Sequence, residues 1–247
     1  MQLLSISDFS VWGTLVLVML VGAAIGLFWL VDRRFFKQVL RVFGVALAQI
    51  AMLGLYVWLV FRIDRWWADV LWLTAMGVAV GALSVRQARL PLQQWLPPVA
   101  AVVTIVGGVV AGVLLLTMPG RLFVPVMGVL MAQLLTSMTQ TLRTFTSSLR
   151  HTKEHRLFLQ ANGASMTEAL MPTVRRTLRG AVLPLLEKLS SPLAVAMPLL
   201  FCGLLMGGAT IAAALASTLM LWAAAFVAIV LAAVAFIWVA SRNTKLS

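Results

Sequence analysis

The chain is short of charge. Only 11% of its 247 residues are Asp, Glu, Lys or Arg, where a soluble domain carries about a quarter. Acid is scarcest: seven Asp and Glu stand against nineteen Lys and Arg, a formal net charge of +12. A single cysteine, Cys202, excludes an intramolecular disulfide. No G-x-x-x-x-G-K-[ST] occurs, so ATP has no P-loop to bind. No basic residue precedes Arg33, and Asp8 comes before the first apolar run, unlike a cleavable signal peptide. Apolar runs fill the chain and leave no room for a separate soluble catalytic domain. The sequence therefore reads as a non-enzyme with no cofactor.

What is abundant is hydrocarbon. The chain is 62% hydrophobic, with a mean hydropathy of +1.02, which marks an integral membrane protein. Apolar spans read as 9–31, 42–61, 68–85, 96–118, 122–142, 181–206 and 211–240, each close to the roughly 20 residues that cross a bilayer. The basic residues gather between them, so the net charge reflects loop placement and no nucleic-acid partner is expected. Alternate loops carry sixteen Lys and Arg against three. The expectation is an all-α, polytopic transmembrane bundle of about seven spans, N-terminus outside and C-terminus cytoplasmic. It would form one permease-like domain over 1–247 in an inner (plasma) membrane. Trp66, Trp67 and Trp72 fit an outer aromatic belt and Trp95 an inner one.

Four Gly-x-x-x-Gly pairs (Gly22/Gly26, Gly77/Gly81, Gly108/Gly112 and Gly203/Gly207) predict close helix packing, within the chain or between two copies. No charge is expected deep in a span. Milder polar groups are present there: Gln49 in span two, and Gln133, Thr136, Ser137 and Gln140 at helical spacing in span five, beside Met127, Met131 and Met138. Amides and thioethers suit a path for a soft metal or polar solute. The same residues also serve for helix–helix hydrogen bonds and gap filling, and the sequence leaves both readings open. The identity of any metal ligand stays unknown.

The stretch from Arg143 to Lys188 holds eight of the nineteen basic residues. Asn162-Gly163 is a helix stop, and Ser165 with Glu168 is a capping box that starts a new helix. Pro172 is expected to kink or shorten that second helix. Arg175, Arg176 and Arg179 then reach lipid phosphates. His151 to His155 spells H-x-x-E-H, but a zinc site needs further ligands and an enclosed cavity, and Lys153 and Arg156 oppose a cation. A short helix, a glycine turn and a second helix between two spans form the kind of element that ABC-transporter permeases offer to their ATPase.

The chain resembles the FetB-like permeases, ABC-type metal (iron) exporters with plant aluminium-tolerance relatives. The resemblance runs over roughly 35–240. It rests on Gly44, Ala46, Gln49 and Gly54; on Pro125 and Gly128; on Leu159 and Gly163-Ala164-Ser165; and on Pro198 and Gly203. The chain departs from the family pattern at Val45, at Ala132-Gln133, at Phe158 and at Ala216-Ser217-Thr218. The resemblance implies a permease that pairs with a second copy of itself and with a separate ATP-binding-cassette ATPase subunit. The coupling loop would be 143–180, with contact through Leu157, Phe158, Leu159, Gly163, Ala164 and Ser165. Gln49, Gln133, Thr136, Ser137, Gln140 and Met131 would line the substrate path. Two other readings fit the composition: a secondary transporter or channel for a small solute, and a non-transporting membrane scaffold or assembly protein.

Overall fold

The computed structural model describes residues 33–63, 66–116, 123–163, 165–190 and 198–242, together with 12, 15, 16, 18–23 and 26. Among the described residues every regular element is a helix. They run α1 (Arg33–Ile63), α2 (Trp66–Gln87), α3 (Leu92–Leu115), α4 (Phe123–His151), α5 (Lys153–Ala161), α6 (Met166–Ser190), α7 (Pro198–Met206) and α8 (Ile211–Arg242). Among the described residues, three stretches are long and apolar enough to cross a membrane by length and composition: Asp69–Gln87, Leu92–Leu114 and Ile211–Arg242. They coincide with the expected spans 68–85, 96–118 and 211–240. The chain is a membrane-embedded, all-helical protein.

The described residues fall into two units. The first contains Met1–Arg65 and Cys202–Ile211; the second contains Trp66–Phe201 and Ala212–Ser247. In the first unit α1 carries Gln49, whose side chain lies outside the described residues, and Gly208 ends a helical stretch at φ +86°.

The second unit has a continuous core. Met127, Leu130, Leu134, Met138 and Leu142 of α4 are fully enclosed with Val99 and Val103 of α3 and Phe236 of α8. In lipid, apolar surface alone does not drive helices together, so close van der Waals contact must. Gly77 and Gly81 supply it between α2 and α3: a methyl on Gly77 would strike Thr104, and one on Gly81 would sit 2.9 Å from the Ala100 Cα. Gly108 meets Leu73, but its expected partner Gly112 faces open space within 4 Å; Gly107, under the Met131 methyl, is the second tight glycine. Trp95 is not a lipid-facing belt residue. It is 5% exposed and packs 6.0 Å from Phe236, which in turn meets Phe145 edge-on at 5.5 Å. At that end the exposed tryptophan is Trp238, with the Arg242 guanidinium 4.0 Å over its ring.

Two other expectations change. Pro172 neither stops nor shortens α6, which holds Pro172 and Pro184 within 25 helical residues. A proline removes one N–H and crowds the preceding turn, and here the packing of α6 along α4 carries the helix through. The stretch expected as one span over 181–206 is divided between the end of α6 and α7; residues 191–197 lie outside the described residues.

Candidate functional site: the α5–α6 knob and the polar face of α4

The expected coupling loop is helical almost throughout. α4 runs on to His151, Thr152 breaks it with φ −99° and ψ 10°, and α5 follows at once. That break places His151 at the end of α4 and His155 in α5. Thr152 is tied on both sides. Its N–H donates to the Ser148 carbonyl at 2.9 Å, and its hydroxyl lies 3.2 Å from that of Thr173 on α6.

α5 ends as its sequence dictates. The Asn162 backbone N–H and side-chain amide both donate to the Phe158 carbonyl, at 3.1 and 2.9 Å. Gly163 follows at φ +86°, a left-handed conformation that a side chain would resist. Ser165 and Glu168 then close a reciprocal capping box. The Glu168 carboxylate accepts from the Ser165 N–H and from its hydroxyl, both at 2.9 Å, and the Glu168 N–H donates to Ser165 Oγ at 3.3 Å. The backbone bond from Ser165, and secondarily its hydroxyl, holds the Glu168 carboxyl below its ordinary pKa of 4.5. The result is a helical hairpin in which Asn162 and Gly163 end the first helix and the Ser165–Glu168 box starts the second. Phe158 projects from it, 66% exposed, while Leu159 is half-buried. The Leu157 side chain and Ala164 lie outside the described residues.

The polar residues of α4 do not share one environment. Ser137 is buried and donates to the Ala181 carbonyl of α6 at 2.9 Å; Met131 is 1% exposed, in the core. Both stand with the packing side of the helix. Thr136 and Gln140 are exposed, and Thr136 bonds only its own helix, through the Ala132 carbonyl at 3.3 Å. Gln133 is half-buried, and its Oε1 accepts from Lys188 Nζ at 3.1 Å.

That last bond brings a charged side chain of α6 against the polar side of α4. Met131 covers Gly107 in the interior of the α3 span, so Gln133, two residues on, lies at a similar level. Lys188 reaches it because α6 runs antiparallel to α4. Thr173 meets Thr152, Gly180 meets Thr144, Ala181 meets Ser137 and Lys188 meets Gln133. Sequence reasoning left Lys188 in the basic loop; extending α6 past residue 180 and setting it against α4 would have found it. Among the described residues no group of three or more His, Cys, Asp or Glu could hold a metal ion.

A family model described as Uncharacterised protein family (UPF0014) matches residues 11–244. No curated protein and no solved structure matches the chain.

Proposed function

We propose, from the premise that the chain belongs to the UPF0014 family, that this membrane protein is the permease subunit of an ABC transporter. A separate ATP-binding-cassette ATPase chain supplies the energy, and two permease copies form the pathway in a plasma or inner membrane. One observation carries the reading: a capped, glycine-turned helical hairpin offers an exposed phenylalanine, Phe158, outside the apolar spans. An exposed aromatic on a rigid element is an anchor for a partner's pocket.

The resemblance to metal-export permeases supplies the cargo class. Gln133, Thr136 and Gln140 are the candidate lining groups on α4, and Gln49 is a separate candidate on α1. Their amide and hydroxyl oxygens are neutral ligands, which hold a cation weakly and release it readily.

Co-expression with the ATPase subunit tests the coupling. Aromatic anchors cost about 2 kcal/mol or more on truncation, roughly thirtyfold in affinity. Phe158→Ala combined with Gly163→Val should lose co-purified ATPase and its stimulated hydrolysis to that degree. Full retention of both, in a protein that still unfolds cooperatively, rejects the knob as the transmission site.

A further inference from the structure

Among the described residues, three helix ends use a left-handed residue. Two use glycine: Gly163 and Gly208, both at φ +86°. The third uses an arginine. Arg89, at φ +57°, closes α2 with its N–H on the Arg86 carbonyl at 3.1 Å and the Leu90 N–H on the Val85 carbonyl at 3.2 Å. That is the bonding pattern in which glycine is the default, and a side chain there is strained. A non-glycine residue held in such a conformation points to a use for its side chain.

The Arg89 side chain lines a cavity of about 520 Å³ together with Arg143, Ser147, Arg150 and His151. A second cavity of about 350 Å³ shares Arg143, Ser147 and His151 and adds Ser148 and Arg176. The two are contiguous, and among the described residues neither is lined by a carboxylate. Helical spacing explains the convergence. Arg143, Ser147 and Arg150 recur on one side of α4, and Arg176 arrives from α6 one turn before Gly180, whose close approach to Thr144 fixes the spacing. Arg143 is pre-positioned by donating to the Gln87 carbonyl at 2.6 Å, which leaves most of its fork of donors unspent. Ser148 is 1% exposed and its hydroxyl has no hydrogen-bond partner. Buried hydroxyls in native proteins nearly always have one.

We infer that this arginine-lined cavity binds a phosphate group, presented by an anionic phospholipid headgroup or by a free phosphate ion. Arginine forks match phosphate oxygens in pairs, and basic cavities between membrane helices take lipid headgroups. Arg89, Arg143, Arg150 and Arg176 supply charge from three sides, and the serine hydroxyls supply neutral donors. The inference does not depend on the permease reading, since it uses neither Phe158 nor an ATPase.

The test uses the purified full-length chain in neutral detergent. One arm titrates phosphatidylglycerol against phosphatidylcholine and counts retained lipid by native mass spectrometry. The other titrates inorganic phosphate and reads thermal stabilisation. Wild type should retain phosphatidylglycerol over phosphatidylcholine, or be stabilised by phosphate; the responding arm identifies the source. Arg89→Gly should weaken that response at least fivefold while raising the unfolding temperature without ligand, because it relieves the backbone. A purely structural role for Arg89 cannot give those opposite signs. Arg176→Gln should weaken it similarly. Arg86→Gln, exposed in the last turn of α2 and outside both cavities, should leave it unchanged. The inference is overturned if wild type responds in neither arm, if Arg89→Gly binds like wild type, or if Arg86→Gln weakens binding equally, which would mean diffuse surface charge.

Discussion

The α2–α3 pair and the α4–α6 pair solve the same packing problem in opposite ways. α2 and α3 meet where side chains have been removed: Gly77 and Gly81 lie against Thr104 and Ala100. α4 and α6 meet through hydroxyls and amides, at Thr152–Thr173, Ser137–Ala181 and Gln133–Lys188. The first contact tolerates no added atom and offers no alternative partner. The second is a row of separable bonds, of which the exposed Gln133–Lys188 bond is open to exchange for water or a ligand. An apolar, close-packed pair suits a fixed scaffold, and a polar pair suits an element that shifts between states.

The largest effect should come from filling the glycine contact. Gly81→Leu places its side chain against the Ala100 backbone, and overpacking costs up to about 3 kcal/mol. Denaturant titration in mixed micelles should show a large loss of stability or no folded protein; near-wild-type stability would mean that α2 and α3 can part cheaply. Ser137→Ala removes one bond between α4 and α6 and should cost about 1 kcal/mol. Thr152→Val, which breaks the partly exposed hydroxyl pair, should cost less than Ser137→Ala. Equal losses at the two sites would contradict the graded burial described above.

The smallest effect is a pH dependence at the start of α6. Glu168 has its pKa lowered in the folded state, so its contribution is present above the ordinary value of 4.5 and is lost as the pH falls through the lower folded value. Protection of the amides in the first turn of α6, relative to their intrinsic exchange rates, should therefore fall in that acid window. Glu168→Gln removes the titrating carboxyl that Ser165 holds through its backbone N–H and hydroxyl and should abolish the change. A pH response that survives the substitution would assign it to another group.

Local chemistry made much of this legible from the sequence. The Asn162-Gly163 stop and the Ser165–Glu168 box sit where their residue types demand, because each is decided within four residues. Spans α2, α3 and α8 were legible because uninterrupted apolar length leaves little else. What could not be read was which side of a helix meets protein. Trp95 carries a ring that suits either a lipid interface or a core, and only Phe236 on a distant helix decides between them. Ser137 and Gln140 are one turn apart, yet one is buried and the other exposed. The contact of Lys188 with Gln133 was not legible because it depends on the pairing of α6 with α4, which no local pattern encodes. Pro172 does not shorten α6, because tertiary contact outweighs a local preference.

The lysine bond to Gln133 has an electrostatic consequence for any cargo. Two unit positive charges about 4 Å apart repel by about 4 kcal/mol at an effective dielectric constant of 20. A bare cation drawn up beside Gln133 would meet that barrier while Lys188 stays charged, and a divalent ion would meet about twice as much. An anion, or a metal already wrapped in negative ligands, would instead find a counter-ion waiting. If the proposed path runs along this face of α4, the side chain that completes this hydrogen bond in the resting protein would also sort cargo by charge.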